Sequence, residues 1–138
     1  MSDSTRVVQQ EGLSFDVELH GHHFTIDAVE AVGGKDRGPR PKGLLLSALA
    51  GCTGMDVASI LKKMRMPYDS FAVEVDADLA EKHPKVYTEI RLRYVFTGAE
   101  LDKEKIEKAV DLSQDVYCGV TAMLSKAAEV KHEIVLNP

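Results

Sequence analysis

Two side chains in this sequence stand out as able to do covalent chemistry, Cys52 and Cys118, 66 residues apart and the only cysteines present. A cysteine thiolate is both a nucleophile and a metal ligand. Two cysteines are too few for a disulfide-stapled secreted scaffold or a four-cysteine zinc site. A bond between them in a reducing compartment would be transient and chemical, and the plainer alternative is that each is a small buried hydrophobe. Cys118 is expected near the start of a helix, where unpaired N–H groups and the dipole lower a thiol pKa. Cys52 lies inside a helix and gains nothing from the dipole, so its activation calls for a nearby cation or donor. Asp56 follows one turn later and would raise the thiol pKa unless paired with Lys or Arg.

The element that must position Cys52 is Pro41 to Met66, PKGLLLSALAGCTGMDVASILKKMRM, read as one long central helix over about 42–66. Pro41 suits the first turn, Lys62, Lys63 and Arg65 complement the negative end of the dipole, and Pro67 stops the run. Leu44, Leu45, Leu46, Ala48, Leu49 and Ala50 are apolar on all faces, which predicts burial all round in the first half. Gly51 and Gly54 flank Cys52 and cost about 1 kcal/mol each relative to alanine, so a close approach is expected there.

Strands surround this helix. Leu13 to Leu19 alternates apolar and polar residues, His20-Gly21-His22 interrupts, and His23 to Asp27 resumes, which predicts a hairpin. A short strand near Arg6 to Gln9 precedes it, and the Gly/Pro-rich segment 31–41 reads as a mobile hinge loop. After Pro67, Phe71 to Leu79 and Val86 to Phe96 alternate on either side of a turn at His83-Pro84. The acidic outer face of the first (Glu74, Asp76, Asp78) should meet the basic outer face of the second (Arg91, Arg93). Asp102 is expected to cap a helix ending at Val110 or Leu112, Ser113 or Asp115 a second over about Val116 to Ala127, and Val130 to Leu136 closes the chain as a strand. The order βββ-α-ββ-αα-β favours an α+β fold over a doubly wound one. The chain reads as a single domain over 1–138, with an N-terminal β lobe about 1–30, the hinge 31–41, the central helix, and a C-terminal α+β lobe 67–138.

Composition narrows the function classes. A net charge of -5 over 138 residues offers no basic surface to nucleic acid. No signal-like stretch opens the sequence and the longest apolar run is too short to span a bilayer, so no membrane association and a cytoplasmic location are the expectation. His20, His22 and His23 read as a polar turn before a zinc site, the charges from Asp102 to Lys108 as a solvated helix face, and Met55, Met64, Met66 and Met123 as core filler.

LLLSALAGCTGMDV, followed about 60 residues later by AVDLSQDVYCGVTAML, resembles the OsmC/Ohr family of organic hydroperoxide resistance proteins, especially its OsmC-like branch. The resemblance covers nearly the whole chain. It implies an intertwined α+β homodimer with a long buried central helix and active sites at the subunit interface. It also implies that Cys52 attacks an organic hydroperoxide substrate, that Cys118 resolves the product as a disulfide, and that a dithiol reductant such as a lipoylated protein returns the electrons, with no metal or organic cofactor. One position departs from the family pattern: Lys42 and Gly43 stand where a glutamate after the helix-opening proline usually orients an arginine onto the thiol. Arg37, Arg40 and Lys42 are the candidate activating cations. Two other readings stay open, an OsmC-like dimer that binds a small apolar ligand without catalysis, and a general disulfide exchange protein, which the lack of a Cys-x-x-Cys disfavours.

Overall fold

The computed structural model describes all residues, Met1 to Pro138, and is α+β, with two three-stranded sheets and three α-helices. The chain divides into two compact units, 1–45 and 46–138.

In the first unit, β1 (Thr5–Gln9), β2 (Phe15–Leu19) and β3 (His22–Ile26) form an antiparallel meander. The β2–β3 turn consists of His20 and Gly21, both at positive φ (52° and 79°), the backbone that a two-residue hairpin of primed type demands. His20 pairs with Asp3 at 2.7 Å and His23 with Asp16 at 2.8 Å, as befits a polar turn. The segment expected as a hinge loop is tied down. It contains a short 3₁₀ turn, Glu30–Val32, and the buried Asp27 carboxylate accepts from the backbone N–H groups of Ala28 (2.8 Å), Lys35 (3.1 Å) and Arg37 (3.2 Å). Two of its glycines are packing requirements: a Cβ on Gly34 or Gly38 would lie 2.0 Å from the carbonyl oxygen of Ala28 or Thr25 respectively.

The central helix, α1, runs from Gly43 to Lys63, shorter at both ends than the sequence suggests. Pro41 sits in the preceding turn, its carbonyl accepting from Leu44 N–H at 3.1 Å. At the far end Met66 N–H bonds to Leu61 O and Arg65 N–H to Lys62 O, both at 3.1 Å, with Arg65 at φ 55°. That is a Schellman termination with arginine in the left-handed position glycine usually takes. Leu49, Thr53, Val57 and Leu61, four residues apart, are the buried stripe. The first half is more open than the expected all-round burial: Leu45 is 48% exposed, and a Cβ on Gly51 would meet nothing within 4 Å; past the midpoint, Met55 is 76% exposed. Gly54 has only an ordinary neighbour, Val73 Cγ2 at 3.4 Å, so no close approach within this chain accounts for either glycine. The helix is long and apolar enough to cross a bilayer by length and composition, against the expectation from uninterrupted runs. Here it is the core helix of its unit, with Leu49, Val57 and Leu61 fully buried.

The second sheet receives that helix. β4 (Ser70–Leu79) and β5 (Tyr87–Thr97) are antiparallel, and β6 (Glu129–Leu136) lies parallel to β5. Ile90, Leu92, Tyr94 and Phe96 point inward and are essentially fully buried, each apolar side chain contributing about 1.5–3 kcal/mol. The outer face carries the expected charge pairs: Glu74 lies opposite Arg93 and Asp76 opposite Arg91, with Arg91 bridging Asp76 and Asp78 and Arg93 reaching Glu133 at 3.0 Å. A register shift at Asp78/Leu79 breaks the alternation there and leaves Leu79 exposed.

Between β5 and β6 the chain forms α2 (Lys103–Leu112), a π-helical turn (Ser113–Tyr117) and α3 (Gly119–Leu124). Asp102 caps α2, accepting from Lys105 N–H at 3.3 Å, as expected. The second helix starts later than expected, and neither Ser113 nor Asp115 caps it. Cys118 takes that place, extended at φ -76°, ψ 100°. Met66 is core, whereas Met55 and Met123 lie exposed, so the filler reading fails for those two.

Candidate functional site

Three features of the second unit bring Cys52 and Cys118 together. Thr53 anchors α1 in the core one residue beyond Cys52 and fixes that turn's rotation. The π-helical turn, closed by Cys118 N–H bonding Ser113 O at 2.7 Å, ends α2 early and carries the chain into the extended Cys118. The short α3 then supplies a donor to sulfur: Thr121 N–H lies 3.3 Å from Cys118 Sγ. The two sulfurs and an Asp56 carboxylate oxygen all lie within 4.8 Å of one another. Both cysteines are reduced, Cys52 half-buried and Cys118 buried.

Electrostatics at Cys52 run against easy ionisation. Burial pushes its thiol up, the hydrogen bond with Cys118 and the charges of Cys118 and Asp56 push the same way, and Val120 N–H opposes them. The expectation that Asp56 would be paired with Lys or Arg gives way to a different contact, since its carboxylate accepts from the Ser113 hydroxyl at 2.9 Å. Arg40 holds Asp36 at 2.6 Å and Arg37 holds Glu11 at 3.4 Å, both within residues 1–45.

Asp56 terminates a buried chain of hydroxyls that sequence reasoning missed. An ionised carboxylate can only accept, so Ser113 spends its proton on Asp56 and accepts from Thr53 (2.7 Å). Thr53 then accepts from Tyr94 (2.7 Å), and Tyr94 accepts from Gln114 Nε2 (2.5 Å). Thr53, Tyr94 and Ser113 are each 0% exposed. Burial pushes the Tyr94 phenol up despite its bonds to Thr53 and Gln114, which keeps the chain's protons in place. Two signals were available in the sequence: a threonine beside Cys52 in an apolar helix, and a tyrosine in the inward register of β5. Ser113, read as a helix cap, instead joins the carboxylate to this network.

An α+β chain with a long cysteine-bearing helix beside a three-stranded sheet, and a second cysteine after α2, defines a recognisable class. A family model for OsmC, OsmC-like protein, matches residues 33–133. Protein YhfA of Escherichia coli (strain K12) is 36% identical over 128 residues, covering 92% of each chain. A hypothetical protein from Aquifex aeolicus VF5, 28% identical, has a similar crystal structure with TM-score 0.83, covering 100% of this chain and 99% of that one. The fold likeness reaches an organic hydroperoxide resistance protein from Elizabethkingia anophelis at 15% identity and TM-score 0.70, covering 99% of this chain and 97% of that one. The protein belongs to the OsmC-like family.

Proposed function

We propose that the protein is a cysteine-based thiol peroxidase that reduces organic hydroperoxides to alcohols, Cys52 attacking and Cys118 resolving. The observation that carries this reading is the meeting of the two thiols beside the leucine-rich half of α1. The Cys52 thiolate attacks the terminal peroxide oxygen, the O–O bond breaks, and protonation of the departing alkoxide yields the alcohol and a Cys52 sulfenic acid. The Cys118 thiol attacks that sulfur, forming the S–S bond with loss of water. An external dithiol, such as a lipoylated protein, reopens the bridge by exchange, supplying two electrons and two protons.

The active form under this reading is a cytoplasmic homodimer. Ala48, Gly51, Met55 and Ser59 line one side of α1 at helical spacing, and Val116, Tyr117 and Met123 add exposed apolar surface in the same unit. A second copy would bury these and explain why Gly51 lacks a Cβ. It could also bring the cation that Cys52 needs. The elevated Cys52 thiol and the absence of a carboxylate at Lys42 and Gly43 favour a second reading, a non-catalytic dimer that holds a small apolar ligand. Turnover of cumene or tert-butyl hydroperoxide with dihydrolipoamide separates the two. The peroxidase reading expects dithiol-dependent alcohol formation that Cys52→Ser abolishes, whereas a folded wild type that consumes no peroxide supports the ligand-binding reading.

A further inference from the structure

We propose that the reduced protein binds a thiophilic divalent cation of the zinc class through Cys52 Sγ, Cys118 Sγ and the Asp56 carboxylate, leaving a fourth position open to water or an exogenous ligand. The donor set is that of a catalytic-type zinc site, with three protein ligands of N, S or O type. Their ligand atoms already lie within 4.8 Å of one another. Tetrahedral Zn²⁺ with Zn–S near 2.3 Å and Zn–O near 2.1 Å needs separations of about 3.6–3.8 Å, so the three groups close by about 1 Å at most. As the two S–Zn bonds form, the two thiol protons leave to solvent, and the metal sits between the two neighbouring sulfurs.

Two further features suit a cation. The three groups would carry like charge in one half-buried place, and a divalent ion turns that repulsion into attraction. Asp56 is also already aimed. Its Oδ2 is held by the Ser113 hydroxyl, backed by Thr53, Tyr94 and Gln114, which leaves the other oxygen to ligate. An outer shell of this kind fixes ligand orientation in metal sites and is worth about 10–100-fold in affinity. Metal binding and the disulfide exclude each other, since both use the same sulfur electron pairs. An occupied site therefore withholds Cys52 from oxidants. The inference does not depend on the peroxidase reading, because it needs only the reduced thiols.

The test is a titration of the reduced full-length protein with Co²⁺, then displacement by Zn²⁺ against a chromophoric chelator. The expected result is one ion per chain, with the intense sulfur-to-cobalt charge-transfer absorption of two thiolate ligands and slowed alkylation of both cysteines by N-ethylmaleimide. Cys52→Ser and Cys118→Ser should each halve that absorption, and Asp56→Asn should keep it while weakening binding. Ser113→Ala should weaken binding by about 10-fold or more with the absorption intact. Cobalt binding without charge-transfer absorption, unchanged affinity in Asp56→Asn, or undiminished alkylation in saturating Zn²⁺ would each overturn the proposal. The absorption and protection readouts use the wild-type protein, so a variant that fails to fold leaves them decisive.

Discussion

Asp56 and Cys118 both act on the Cys52 sulfur, and their combined effect is to hold the proton on. Burial contributes most, Cys118 next, and Asp56 adds a like charge. Alkylation of Cys52 by iodoacetamide should therefore show an inflection above that of an ordinary thiol. Asp56→Asn should move it down and speed alkylation at neutral pH by roughly 2–5-fold. A thiol whose folded-state pKa is raised stabilises the fold below its unfolded pKa, and that contribution disappears as pH rises through the folded value. Asp27 has the opposite sign. Burial alone would raise its carboxyl, but the N–H groups of Arg37, Ala28 and Lys35 and the charge of Arg37 outweigh it and hold it below the usual carboxylate value. Its contribution is present above the unfolded pKa and is lost as pH falls through the folded one. The loop 28–39 should accordingly loosen in acid, visible as faster amide exchange at Lys35 and Arg37, and Asp27→Asn should show that looseness at neutral pH.

At the scale of elements, two features of local sequence make sharp predictions. Arg65 sits in the left-handed region at φ 55° to end α1, a conformation costly for any residue with a Cβ. Arg65→Gly should stabilise the protein by about 1 kcal/mol and raise Tm by about 3–5 °C. Thr53→Val removes the hydroxyl that accepts from Tyr94 and donates to Ser113, leaving two buried groups short of a partner. The expected cost is about 2–3 kcal/mol in urea unfolding, against less for Tyr94→Phe, after which Gln114 retains Thr53 at 3.4 Å. The same elements show what a sequence can reveal. The β4 and β5 alternation and the Asp102 cap were legible because each depends on residues a few positions apart, and the facing charges followed from two alternating strands joined by a single turn. The site network was not, since Thr53 meets Tyr94 and Ser113 across separations of 41 and 60 residues. The π-helical turn was equally hidden: its Ser-Gln-Asp stretch looks like a helix start, yet the chain there continues α2. The cysteine motifs were legible as types and order, and their meeting came only with the fold.

For the whole molecule, the first half of α1 poses the main question. Its sequence implies burial on all sides, while the chain alone fully buries Leu49 there and leaves Leu45 open. If a second copy supplies the missing cover, light scattering should report a dimer, and Met55→Lys should shift it to monomer. A monomeric wild type would contradict that assembly. The apolar composition that makes α1 resemble a membrane span is then accounted for by two protein surfaces.

The most direct test of the whole account counts titratable thiols after the reduced protein meets one equivalent of tert-butyl hydroperoxide. Both cysteines should disappear together and return with dihydrolipoamide, while Cys118→Ser should stop at a sulfenic acid that dimedone traps on Cys52. Two thiols still titratable after the peroxide has been offered, in a protein that is demonstrably folded, would contradict it.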